Sequence, residues 1–80
     1  MTTQQSSPLA QAVTTALEKY FVELCGEPAS DVYDMVISCV ERPMLLVVMA
    51  QAANNQTVAA QILGINRNTL RKKLADHGLL

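Results

Sequence analysis

One glycine set between two short runs of helical periodicity constrains this chain more than any other feature. The stretch from Asn55 to Leu74 reads NQTVAAQILGINRNTLRKKL. Its first half predicts a helix from Gln56 to Leu63, with the Asn55 side chain capping the N-terminus and Ala59, Ala60 and Leu63 forming a small-residue inner face. Gly64 ends that helix, because glycine tolerates the left-handed backbone of a helix stop, and Ile65 is placed to pack back onto the preceding turn. Asn66 then caps a second helix. Arg67, Asn68 and Thr69 fall on its first turn, Leu70 and Leu74 make a buried stripe, and Arg71, Lys72 and Lys73 are expected to face outward.

Small residues on one helix, a glycine in the turn and two leucines on the next describe two helices crossing steeply at close range, which is the helix-turn-helix unit. Its second helix opens on polar, forked side chains and continues with cations. That order suits a helix that reads base edges while anchoring to phosphate. The plainer alternative is a helical hairpin with a solvated basic face.

Net charge of the whole chain is −1 and the pI about 5.6, which alone would argue against nucleic acid. The distribution reverses that conclusion. Up to Gln56, Lys19 and Arg42 stand against Glu18, Glu23, Glu27, Asp31, Asp34 and Glu41; from Thr57 onward, Arg67, Arg71, Lys72 and Lys73 stand against Asp76 alone. One end is basic and the body acidic, so approach to a polyanion is steered.

Eighty residues make one small domain, and a domain of this size buries only about 60% of its unfolded surface. Half the residues are nevertheless hydrophobic, with one Phe, two Tyr and no Trp, which points to aliphatic surface meant for a second chain. Cys25 and Cys39 stand in no metal or redox spacing, and MTTQQSSPLA has no signal-peptide pattern, so free thiols in a reducing cytoplasm are expected. No apolar run reaches the ~20 residues a membrane helix needs. The longest, Met44 to Ala50, is expected to be core.

Residues 1–7 are polar and expected to be disordered. Ser7 then caps a helix whose first position is Pro8. Leu9, Val13, Ala16, Leu17, Tyr20, Phe21 and Leu24 give it an apolar stripe, and it should end before Gly26 and Pro28. Tyr20 and Phe21 lie on that stripe and are expected in the core rather than stacked on bases. A second N-cap is expected at Ser30, with Asp31 and Asp34 in the first turn of a long helix reaching about Ala52. Beyond Pro43, where a kink rather than a break is expected, this helix is apolar nearly all round. In so short a chain only a second copy can cover it. Tyr33, Val36, Val40, Met44, Val47, Val48 and Met49 are the expected dimer interface.

The segments NNQT and LGINRNTLRKKL, with Tyr20-Phe21, Val32-Tyr33-Asp34 and Val40-Glu41-Arg42-Pro43 upstream, resemble the Fis family of small nucleoid-associated, DNA-bending proteins. The likeness covers nearly everything from Pro8 to Gly78. The C-terminal segment alone also resembles the DNA-binding tail of activators that work with the alternative sigma factor. The resemblance implies an all-α fold of four helices per chain, an intertwined homodimeric helical core and a C-terminal helix-turn-helix. The boundaries are then a disordered 1–7, dimerisation helices over 8–54 and the DNA-binding unit over 55–80.

It also implies roles. Positions matching Asn55 and Thr57 contact phosphate at a helix N-terminus, and those matching Asn66 and Arg67 enter the major groove, with Arg67 able to bridge guanine O6 and N7. Thr69, Arg71, Lys72 and Lys73 match positions that hold the backbone, with Arg71 also a candidate to reach a base. Asn68 replaces a frequent glycine, its side chain either adding a phosphate bond or pointing to solvent, and Asn54 stands where the family often has glycine and is expected to be left-handed, asparagine being the next-best residue for that conformation. His77 reads as a surface residue without a catalytic role. Double-stranded DNA, a second copy and RNA polymerase are the implied partners, the cytoplasm and nucleoid the implied location, and transcription regulation the implied function.

Three departures temper this. Only seven polar residues precede Pro8, too few for the β-hairpin arm that touches site-specific invertases. Val58 and Ala75-Asp76 stand at positions that are basic in some relatives, and Ala53 lacks a cation that would grip flanking DNA. No catalytic constellation, metal set or cofactor motif is present, so no enzyme is expected. The alternatives are a helical protein–protein adaptor and a non-bending local helix-turn-helix regulator.

Overall fold

The computed structural model describes residues 7–80. Four helices follow in order: α1 (Pro8–Glu23), α2 (Val32–Gln51), α3 (Gln56–Leu63) and α4 (Arg67–Asp76). No strand occurs among the described residues, and the fold is all-α, as expected. The chain divides into a first compact unit ending at Val32, which holds α1, and a second, Tyr33–Leu80.

In the first unit the Ser7 Oγ accepts the Ala10 N–H at 3.0 Å, with Pro8 at the start of the helix where its missing donor costs nothing. The expected disorder of 1–7 otherwise concerns residues 1–6, which lie outside the described residues. The expected burial of the α1 stripe is not met: none of its residues is buried, and Phe21 is 51% exposed. Tyr20 and Phe21 stand edge to face at 5.4 Å between ring centres. An amphipathic helix leaves its stripe open when no other helix of its own unit covers it.

The start of α2 also corrects the expectation. Ser30 does not cap it; the helix begins at Val32, and Asp31 takes a left-handed φ of 58°. Aspartate tolerates that conformation better than most residues, and a left-handed residue cannot belong to the first helical turn. Asp34 remains there. Pro43 does not break α2, which continues to Gln51.

The core of the second unit is small and almost wholly aliphatic. Leu45 from α2, Ala52 beyond its end, Ala59 and Ala60 from α3, and Leu70 and Leu74 from α4 are buried together. Val48, Met49, Leu63, Ile65 and Leu79 pack around them. Each fully buried leucine contributes about 1.5–3 kcal/mol of transfer free energy. Alanines on α3 let α4 approach closely, which is why the small-residue face was legible in the sequence.

α2 therefore has two faces. Leu45, Val48, Met49 and Ala52 hold the helix-turn-helix, so Val48 and Met49 are already packed in their own chain rather than left wholly for a partner. On the other side, Tyr33 is 76%, Met44 43% and Val47 64% exposed, so this apolar helix is not covered on every side within one chain. The same packing joins α2 to the unit that was expected to begin at residue 55.

Candidate nucleic-acid interface

The N-terminus of α3 is built by Asn55, whose Oδ1 accepts the Val58 N–H at 3.1 Å. The carbonyl oxygen of that side chain is thus committed to the helix, and its amide N–H groups remain to donate outward. Thr57, one residue into the helix, is exposed. Unpaired backbone N–H groups and the helix dipole make this end attractive to an anion. α3 stops at Gly64, whose φ of 76° is the left-handed value expected, and the Ile65 N–H reaches back to the Ala60 carbonyl at 3.1 Å.

α4 starts in the same way. The Asn66 Oδ1 accepts the Asn68 N–H at 2.7 Å, and Asn66 is extended at φ −68° and ψ 144°. Asn66, Arg67, Asn68, Thr69, Arg71 and Lys72 are all exposed, while Leu70 and Leu74 are buried against α3. Lys72 lies 3.3 Å from Asp76, but both side chains are open to solvent, where such a pair is worth little and is readily exchanged for another anion.

Lys73 and His77 depart from expectation. Lys73 was expected to face outward, yet its Nζ sits 2.7 Å from Glu41 Oε2 on α2. His77 was expected at the surface, yet only 13% of its side chain is exposed and its Nε2 lies 2.8 Å from Glu41 Oε1. The hydrogen bond from Lys73, then that of His77, holds the Glu41 carboxyl below its ordinary value of 4.5 against an opposing effect of burial. The same hydrogen bond raises the Lys73 ammonium above its ordinary range.

A family model described as bacterial regulatory protein, Fis family, matches residues 37–77. A relative from Ralstonia nicotianae named "Putative Fis-like DNA-binding protein" is 54% identical over 74 residues, covering 92% of this chain and 96% of the relative. The chain belongs to the Fis family. Another Fis-like relative, from Neisseria meningitidis serogroup A, is 51% identical over 72 residues, covering 90% of this chain and 91% of its own length. "DNA-binding protein Fis" from Actinobacillus succinogenes is 51% identical over 74 residues; the match takes in 92% of this chain and 75% of that protein.

The Fis-family match includes Glu41, Lys73 and His77 along with the helix-turn-helix. Glu41 was missed as a site residue because it read as one more charge of the acidic body. Its signal was positional. It lies one turn before Leu45 on the inner face of α2, while Lys73 and His77 lie one turn apart beside Leu70 and Leu74.

Proposed function

We propose that this Fis-family chain is a transcriptional regulator that binds and bends double-stranded DNA as a homodimer, placing α4 in the major groove and the start of α3 against phosphate. The observation that carries this reading is the shared exposure of Arg67, Asn68, Thr69, Arg71 and Lys72 on a helix anchored by Leu70 and Leu74. In it Arg67 reads guanine O6 and N7, with Asn66 beside it, and Thr69, Arg71 and Lys72 grip the backbone. Asn55 and Thr57 donate to a phosphate at the start of α3. The DNA-binding names of the relatives support the same partner.

Dimerisation is supported by the open apolar side of α2, where Tyr33, Val36, Val40, Met44 and Val47 follow one another at helical spacing. A two-fold dimer must present its reading helices to successive major grooves about 34–36 Å apart on straight DNA. Bending follows in this reading from the short joint between α2 and α3, which gives each head little freedom to adjust. The nucleoid in the cytoplasm is the corresponding site of action.

Equilibrium binding to duplex DNA over a salt series tests the proposal, combined with a bending assay on sites that share end guanines but differ in the uncontacted centre. Log K should fall linearly with log salt, with a slope of about −0.9 per neutralised phosphate, and flexible centres should bind tighter than stiff ones. Affinity indifferent to salt would refute DNA binding. Steep salt dependence with straight bound DNA would leave a non-bending local regulator.

A further inference from the structure

We propose that Glu41 is the positioning residue of the reading helix: by taking Lys73 on one carboxylate oxygen and His77 on the other, it fixes the rotation of α4 and withdraws Lys73 from the phosphate-gripping set. This rests on the DNA-binding reading above. Both Glu41 oxygens are used, Oε2 by Lys73 Nζ at 2.7 Å and Oε1 by His77 Nε2 at 2.8 Å, and only 16% of the Glu41 side chain is exposed. Lys73 and His77 are four residues apart, so the carboxylate spans from the last turn of α4 to the residue that caps its C-terminus.

Geometry makes this contact a rotational stop. At 3.6 residues per turn, Lys73 and His77 flank the Leu70–Leu74 stripe on one side, and Arg67 and Arg71 flank it on the other. Leucines fix how near α4 comes to its neighbours but are indifferent to small rolls about its axis. A carboxylate bound at both oxygens is directional. A roll that breaks the Glu41 contacts must swing Arg67 and Arg71 relative to the rest of the head. The other titratable groups that act on Lys73 are Asp76 and the Tyr33 hydroxyl, and α3 carries no charged residue at all.

The test uses the full chain, a guanine-ended duplex and a salt series, with Glu41→Gln, Lys73→Gln, Lys72→Gln and the Glu41→Gln/Lys73→Gln double variant, each checked for helicity. Lys72→Gln should reduce the magnitude of the salt slope by about 0.9 per head, the value of one phosphate contact, whereas Lys73→Gln should leave the slope unchanged. Glu41→Gln, which touches no DNA, should weaken the preference for guanine about 3- to 10-fold, the scale of coupling between contacting residues. The double variant should be no worse than the more affected single one. A slope lost equally in Lys73→Gln and Lys72→Gln, or losses that multiply in the double variant, would overturn the proposal. Should the unsubstituted chain bind no DNA, the DNA-binding reading falls. The same cycle followed by urea unfolding then decides whether Glu41 docks α4, since independent losses there would refute it.

Discussion

Asn54 donates its backbone N–H to the carbonyl of Met49 at 2.9 Å, and beside it Ala53 donates to Ala50 at 3.1 Å, closing α2 with the hydrogen-bond pattern that usually carries glycine. Here the left-handed residue is Ala53, at φ 52°, followed by Asn54 at φ 64°. Asn54 was expected to be left-handed and is. Ala53 carries a Cβ into a conformation that costs an L-residue about 1–2 kcal/mol. Ala53→Gly removes that cost and adds unfolded-state entropy, so it should stabilise the unit by about 0.5–1 kcal/mol. A urea midpoint that fell, with an unchanged slope, would show that Ala53 is not strained.

The core is so small that single residues should matter greatly. Leu70 is sealed from solvent, and Leu70→Ala should cost about 2–5 kcal/mol. Ile62, on the open side of α3, is 54% exposed, and Ile62→Ala should stay within about 0.5 kcal/mol. Thermal melts of the two variants compare them directly. Equal shifts would mean that the open side of α3 is covered in solution.

Stability should also follow the ionisation of Glu41. Its folded-state pKa lies below the ordinary 4.5, so its contribution is present above that value and lost as pH falls through the depressed folded value. Lys73 has a raised pKa, so its share is present below 10.5 and fades as pH climbs through the raised folded value. Chemical denaturation at several pH values should show a plateau between these limits. Glu41→Gln should flatten the acid side. An acid limb identical in both proteins would assign that limb to other carboxylates.

The helix-turn-helix was legible because its signals are local: Asn55 and Asn66 cap within three residues, Gly64 marks the stop, and Leu70 and Leu74 repeat within one turn. The start of α2 was not, because Ser30 and Asp31 offer the same capping chemistry and only the backbone decides that Asp31 turns left-handed. Lys73 and His77 were misjudged for a different reason. Their partner lies 32 and 36 residues earlier in the chain, and no periodicity within α4 reports a carboxylate on α2. The hydrophobicity of α2 was read correctly but assigned too simply, since Val48 and Met49 serve their own chain while Val47 does not.

That division of α2 yields the sharpest test of assembly. Val47 and Val48 are neighbours in sequence, yet Val47 is 64% exposed and Val48 packs against the buried cluster of Leu45, Ala52 and the helix-turn-helix. If a second copy covers the face of Tyr33, Met44 and Val47, Val47→Glu buries an unpaired charge only in the dimer, a cost of several kcal/mol borne by association. The isolated head should keep its helices, because a glutamate at that position reaches solvent in a single chain. Val48→Glu should instead loosen α2 from the helix-turn-helix and lower helicity as well. Sedimentation with far-UV circular dichroism separates the two outcomes: Val47→Glu should give a lighter species that retains helicity in the head, and Val48→Glu a less helical one. Should Val47→Glu sediment as the unsubstituted chain does, the open side of α2 is not where two copies meet.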